Sequence, residues 1–403
     1  MFIVSRLRHF AKPIQVPAMN PPKVDDLDYI HFLVAAQKEF TCTEAARCSP
    51  EDEDAPAHDA FTRLLQRRPP DTEALWQEAE PVVDRDDGLL ILDDTTLDKP
   101  YANEIEHVTW HWSGKHKQVV KGINLLTLLW RGSAERSPEE SSEKAPSPDS
   151  SPDSSAGEDR DSSAGEDREP HVPCDFRLYQ SDGKTKNEHF REMAAAAAAR
   201  GFSPDYVVFD SWYSGLDNLK TIRDMGWRFF TRLKKNRQVN PDDTYNRQIQ
   251  QIRIPQEGRT VHLKGFGFVK VFRTVSTDGD AEDSDAEDSD AEDGEDSPQS
   301  KVRYWATNDL EMSDQKRAEL ARRAWGVETY HRRLKQYCGA ERSQCRSAEA
   351  QHNHIQMSIR AFLRLELHRV ETAISFYESK TAIIRDAIRA YLADPTYMLP
   401  SSA

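Results

Sequence analysis

Residues 88–96 read Gly88-Leu89-Leu90-Ile91-Leu92-Asp93-Asp94-Thr95-Thr96. Four consecutive apolar residues after a glycine predict a short strand over 89–92, apolar on both faces as buried strands of parallel or mixed sheets are. Two carboxylates and two hydroxyls follow at its carboxyl end, where ligands of open α/β sheets bind. The pattern recurs at Tyr206-Val207-Val208-Phe209, which runs into Asp210-Ser211. Two strands that end in aspartate predict carboxylates meeting at one sheet edge.

The surrounding sequence fits that sheet. Val119 to Trp130 is a long apolar run suited to one or two buried strands, and Phe176 to Tyr179 predicts another. Asn187 to Arg200 includes seven consecutive alanines, strong helix formers, and Gly201 ends the segment. The Tyr206 strand follows at once, a helix-then-strand step of an α/β fold. A helix over 216–225 and a strand over 227–233 come next, ending in the basic run Lys234-Lys235-Asn236-Arg237. Between 245 and 275, apolar residues interleave with polar ones and with Gly258, Gly265 and Gly267, which predicts short antiparallel strands. Residues 302–307 resume a strand, 315–336 predict one helix, and two apolar stripes, Ile355 to Ile374 and Ile383 to Tyr391, predict helices to the end of the chain.

Before the first strand, Tyr29, Phe32, Leu33, Ala36 and Phe40 recur at helical spacing. Thr43 is placed to cap a second helix, and Asp71 a later one. The segment Ala60 to Arg68 predicts a helix with a basic face, stopped by Pro69-Pro70. Several short helices with a basic one among them fit a small DNA-binding module, or equally a helical cap on a catalytic domain.

The net charge of −15 is not spread evenly. Residues 133–170 hold 12 acidic and 4 basic residues, with DSSAGEDR repeated in tandem, and residues 278–297 hold 12 acidic and no basic residues, with AEDSD repeated. Together they carry −20, which leaves +5 on the rest of the chain and permits a polyanionic partner. Such segments cannot bury enough apolar area to offset ordering entropy, so both are expected to be disordered, the second as an expanded hairpin tip. The five cysteines are scattered with no C-x2-C pair, which argues against a zinc site or a disulfide framework. No run of 18 apolar residues predicts a membrane span, and a cytoplasmic, nucleoid-associated protein is expected.

The two strand-end aspartates, joined by a glutamate on the helix Trp325-Gly326-Val327-Glu328, are the residues that two-metal phosphoryl chemistry needs. In this order, and with a β-rich segment before the glutamate, the chain resembles the DDE transposases of bacterial insertion sequences over roughly residues 26–394. The stretch Asp94-Thr95-Thr96 matches the family's D-T-T, so Asp94 is taken over Asp93, which alternation sets on the opposite face. The family carries Y-x2-R-x3-E-x6-K around its glutamate. Lys335 stands seven residues after Glu328 as that motif requires, whereas its Tyr and Arg positions fall on Ala321 and Ala324.

The resemblance implies an RNase H-like mixed α/β sheet with flanking helices and a β-rich insertion. It implies two Mg2+ ions, or Mn2+, held by Asp94, Asp210 and Glu328. It also implies double-stranded DNA as partner, at element ends and at the target, and a homodimer in the synaptic complex. Arg323, Arg332 and Lys335, with Lys234, Lys235 and Arg237, are the expected contacts to the DNA backbone. The expected organisation is a disordered leader over 1–25, a helical DNA-binding region over 26–85 and a first core part over 86–240. The β-rich insertion over 241–300 and the second core part with C-terminal helices over 301–394 complete it. A catalytically impaired DNA-binding descendant and an RNase H-fold nuclease without strand transfer are the alternative readings.

Overall fold

The computed structural model describes residues 22–50, 55–113, 118–132, 169–180, 183–276 and 301–395. Residues 1–21 of the expected leader and nearly all of both acidic repeat segments lie outside these residues.

One mixed sheet organises the chain. Strand β1 (Leu89–Asp98) pairs antiparallel with β3 (Gln118–Arg131) on one side and parallel with β5 (Tyr206–Phe209) on the other. Along the far edge of β3 lie β2 (Thr109–Ser113) and then β4 (His171–Tyr179), both antiparallel to it. Beyond β5, β6 (Phe229–Leu233) pairs parallel. The order β4-β3-β1-β5-β6, with three antiparallel strands followed by two parallel ones, is the RNase H-like arrangement.

The β-rich insertion does not stand apart from this sheet but prolongs it. Strand β11 (Lys301–Thr307) pairs antiparallel with β6 and also with β10 (Gly267–Ser276). Strands β9 (Arg259–Leu263), β7 (Gln238–Asn240) and β8 (Arg247–Gln248) follow outward. The pairing of Ser276 with Lys301 makes the second acidic repeat the connection of a hairpin, and that of Arg131 with His171 does the same for the first.

The first strand is longer than its sequence indicates. It continues six residues past Leu92, because β3 offers a partner as far as Gly122 opposite Asp98. The parallel pairing with β5 stops at Leu92 and Phe209. The carboxylates therefore sit in mid-strand, at the point where the parallel pair ends.

Helices cover both faces. Helix α5 (Lys186–Ala199) starts at a Thr185–Glu188 capping box and ends before Gly201, which takes the left-handed φ of +83°. Its Phe190 packs on Phe209 and Tyr213. Helix α6 (Leu216–Asp224) joins β5 to β6. The predicted single helix over 315–336 is two, α7 (Asp314–Ala324) and α8 (Gly326–Tyr337). The break falls where α8 presses on the sheet, because a Cβ on Gly326 would collide with the Arg131 guanidinium and with His171.

Helix α9 (Ala348–Thr372) is buried along most of its length and joins two cores. One is the sheet core. The other gathers Ala350, Met357 and Ala361 with α1 (Asp26–Ala35), α2 (Cys42–Arg47) and α3 (His58–Arg67). Helix α4 (Glu73–Ala79) places Leu75 and Trp76 in the sheet core. Thr41, not Thr43, caps α2. Two arginines at the end of the basic helix turn back on the protein: Arg67 donates to the Val24 carbonyl and Arg68 pairs with Asp26. The last helix, α10 (Phe376–Ala393), anchors through Phe376 and leaves Ile383, Ile388, Tyr391 and Leu392 exposed. Among the described residues, no helix is long and apolar enough to cross a membrane.

Candidate active site

Parallel register fixes which acids are neighbours. Leu89 faces Tyr206 and Leu92 faces Phe209. The pairing ends there, and Asp93 and Asp210 are the next residue of each chain segment. Side chains alternate along a strand, so Asp93 shares its face with Leu89, Ile91 and Val208, while Asp94 shares the other with Leu92 and Phe209. Phe209 meets Phe190, so the Asp94 face is the one α5 covers.

Helix α8 covers the opposite face. His331 Nδ1 lies 3.9 Å from Asp93 Oδ2, and the Lys335 ammonium donates to the Thr96 carbonyl at 2.8 Å. Glu328, His331 and Lys335 are three and seven residues apart and form one stripe of the helix. The other flank of α8 is occupied: Tyr330 meets Phe362, and Arg333 stacks over Phe376. Glu328 thus belongs to the stripe that overlies β1 on the Asp93 side.

Asp94 is held differently. Its carboxylate accepts from Lys186 Nζ at 2.7 Å, Asn124 Nδ2 at 2.6 Å and the Tyr213 hydroxyl at 2.5 Å. Burial alone would raise this carboxyl, but the Lys186 charge and the three hydrogen bonds outweigh it and hold Asp94 below the usual range. Asp210 caps a turn of 3-10 helix, its Oδ1 accepting from the Trp212 and Tyr213 amides at 3.0 and 3.3 Å. That turn sends Tyr213 inward. Its hydroxyl is pushed well above the normal range by burial, then by the charges of Asp94, Asp210 and Asp93. Its hydrogen-bond partner among these acids is Asp94. The His331 ring is driven down to about 3 by burial first and then by Lys335, so it is neutral beside Asp93.

The donor set suits a hard divalent ion, since Asp93, Asp210 and Glu328 offer carboxylate oxygens only. Asp94 is less suited, because the Lys186 ammonium already occupies one of its oxygens. Among the described residues, no three His, Cys, Asp or Glu side chains gather closely enough to hold an ion by themselves. Crowded carboxylates repel until a cation compensates them.

The expected DNA contacts divide. Arg332, Lys234 and Lys235 are exposed, and Arg237 is half-buried. Lys335 is braced on Thr96 and lies 3.4 Å from Glu341. Arg323 is only 2% exposed. It pairs with Glu169 at 3.1 Å, donates to the Gly132 carbonyl, and so clasps the base of the first acidic connection instead of DNA. Sequence reading missed Lys186 and Tyr213. The capping box TKNE at 185–188 marked the helix start that positions Lys186, but nothing in the sequence marked its partner.

The sheet is RNase H-like, with carboxylates just past the end of its central parallel pair. Residues 163–363 match the Transposase DDE domain family. The chain belongs to the DDE-type transposases, enzymes that cleave DNA and transfer its strands. The matched segment includes Asp210 and Glu328 and begins after β1. A piggyBac transposase synaptic complex with hairpin DNA, solved by cryo-EM, aligns with 99% of this chain and 81% of that chain at 10% identity and a TM-score of 0.45. No curated protein matches the sequence.

Proposed function

We propose that the chain is the transposase of a mobile DNA element, cleaving at the element's ends and joining them to target DNA with divalent metal, Mg2+ or Mn2+. Asp93, Asp210 and Glu328 hold the ions in this reading. The observation that carries it is the parallel pairing that ends one residue before Asp93 and Asp210, with His331 of the Glu328 helix 3.9 Å from Asp93. This reading sets aside the motif match to Asp94 because Lys186, Asn124 and Tyr213 hold that carboxylate. When bound, two such ions activate the attacking oxygen and stabilise the leaving one. The protein's share is to hold the carboxylates in place and to seat the DNA. Arg332, Lys234, Lys235 and Arg237 contact its backbone, and Lys335 fixes α8 to β1. The helical region over 26–85 adds contacts through exposed arginines such as Arg63. Synapsis of two ends calls for a homodimer, acting where the element's DNA lies, in the cytoplasm.

The experiment is cleavage of duplex DNA bearing the element's terminal sequences, with Mg2+, by the wild type and by Asp93→Asn, Asp94→Asn and Asp210→Asn. The reading expects no detectable cleavage with Asp93→Asn or Asp210→Asn, and residual cleavage with Asp94→Asn. Full cleavage by Asp93→Asn, with none by Asp94→Asn, returns the metal to Asp94. A wild type that binds the ends yet leaves them intact favours the impaired DNA-binding descendant, the reading that Ala321 and Ala324 support. Cleavage without joining favours a nuclease.

A further inference from the structure

Two thiols meet away from the candidate active site. Cys42 opens α2, and Cys345 lies in the connection from α8 to α9. Far apart in the chain, both pack on the core that α9 shares with α1, α2 and α3. There the Cys42 thiol donates to the Cys345 sulfur. Each is half-buried, so a small solute can reach the pair.

The two sulfurs sit in different surroundings. The Cys345 amide donates to the Ser343 hydroxyl at 3.3 Å, and that hydroxyl also bonds the Cys345 sulfur. Lys99, buried at the end of β1, donates to the Glu341 and Ser343 carbonyls at 2.7 and 2.6 Å and sets its ammonium near the same sulfur. The bond from Cys42, then the Ser343 hydroxyl and the Lys99 charge, outweigh burial and bring Cys345 down to about 6. Cys42 is pushed up by its bond to Cys345 and by burial, so it keeps its proton. A thiolate in contact with a protonated thiol is what a nucleophilic cysteine and its resolving partner need. The other cysteines differ. Cys48 is exposed, but burial and the Glu44 charge raise it, and its thiol donates to Glu44 Oε1 at 3.8 Å. Cys174 and Cys338 are fully buried.

We propose that Cys42 and Cys345 form a redox modification site, where a peroxide converts the two thiols into a disulfide that ties α2 to the α8–α9 connection. The Cys345 thiolate attacks one peroxide oxygen, the O–O bond breaks, and hydroxide leaves a sulfenic acid behind. The Cys42 sulfur then attacks the Cys345 sulfur, the S–O bond breaks, and water departs with the Cys42 proton. With one proton taken up by the hydroxide, the two sulfurs are oxidised to one disulfide and the peroxide is reduced to two waters. Exchange with a dithiol reverses the bridge. In a reducing compartment the pair rests as thiols, so the bridge is transient and reports oxidation. It fixes the N-terminal helices to the segment that follows α8, the helix that carries Glu328.

The test treats the folded full chain with hydrogen peroxide, alkylates the remaining thiols and maps the peptides by mass spectrometry without reduction. The expected product is one linked pair of peptides, holding Cys42 and Cys345, that dithiothreitol separates. Cys48→Ser leaves this link in place. Cys345→Ser abolishes it and leaves Cys42 open to alkylation. Cys42→Ser removes the resolving thiol, so Cys345 sulfenic acid, trapped with dimedone, rises several-fold above the wild type. The wild-type map carries the test even if a serine variant fails to fold. Links made chiefly through Cys48 or between two chains overturn the site. So does a wild type in which Cys42 and Cys345 are both still alkylated after peroxide, or a Cys42→Ser variant with no more trapped sulfenic acid than the wild type.

Discussion

Glu366 is the most consequential charge in the interior. It is 0% exposed, in α9, and no water can replace its partners. Its carboxylate accepts from the His171 amide at 3.0 Å and from His171 Nδ1 at 2.8 Å, and from Arg369 Nε and Nη2 at 2.9 and 2.7 Å. Arg333 of α8 lies 3.6 Å away. Burial raises this carboxyl, but the hydrogen bonds and charges of His171 and Arg369 overcome it and leave Glu366 far below the usual carboxylate range. One side chain therefore ties β4, α8 and α9 together behind the candidate site. Glu366→Ala removes the anion that the largely buried Arg333 and Arg369 guanidiniums face. Breaking a buried pair from one side costs about 3–5 kcal/mol. At roughly 2–4 °C per kcal/mol for a domain of this size, the midpoint should fall by about 6–20 °C. Glu366→Gln keeps one acceptor and should cost less, about 1–3 kcal/mol. Differential scanning calorimetry, paired with urea unfolding at unchanged slope, measures both. A cost below about 1 kcal/mol for Glu366→Ala would show that this carboxylate does not hold the buried arginines in place.

Two further outcomes follow from the same interior. His354 is buried, with Nδ1 accepting from the Tyr29 hydroxyl at 3.0 Å and Nε2 donating to the Gly339 carbonyl at 2.9 Å, and burial lowers its pKa to about 4. Unfolding restores about 6.5, so between those values the unfolded chain binds the extra proton. The contribution of His354 to stability is therefore intact above pH 6.5 and lost as pH falls toward 4. Urea midpoints measured from pH 7 to pH 4.5 should drop less steeply in His354→Gln, and an unchanged slope would count against it. Gly326→Ala sets a methyl against Arg131 and His171 where α8 meets the sheet, and overpacking of this kind costs about 1–3 kcal/mol. Because α8 carries Glu328, DNA cleavage per folded molecule should fall as well. A variant as stable and as active as the wild type would show that the helix has room there.

How far the sequence could be read depended on whether the deciding contact was local. Strands β1 and β5, the alanine-rich helix and the hairpin around the second acidic repeat declare themselves in short windows, and the structure has each of them. The continuation of β1 through Asp98 is invisible locally, because polar residues stay in the sheet only through pairing with β3 some 30 positions away. Alternation separates Asp93 from Asp94 at once, but which face meets α8 depends on a register with β5 and a helix more than 200 residues on. The break at Trp325 had a glycine beside it, yet a lone glycine within a helical pattern is weak evidence of an end. Arg323 was misjudged for the converse reason. A basic residue near a catalytic glutamate looks like a DNA contact until its partner, Glu169, is brought to it across the sheet.

The doublet Asp93-Asp94 also has an electrostatic logic. Adjacent residues in a strand face opposite ways, so two consecutive carboxylates deliver one negative charge to each face of the sheet. On the α5 face the charge is neutralised within the protein, by Lys186 together with the Asn124 and Tyr213 hydrogen bonds. On the α8 face His331 lies 3.9 Å from Asp93, and burial keeps its ring neutral. Asp210 and Glu328 add to the same side. The sheet thus separates an acid held by Lys186 from the acids of the other face, and crowded carboxylates gain from a bound cation. The Lys186 pair has a second effect: it fixes the conformation of β1 at Asp94, and with it the direction in which Asp93 is presented. Stability and metal affinity should therefore respond differently to the two residues. Loss of Asp94 acts through the fold of the strand, and loss of Asp93 through the ion.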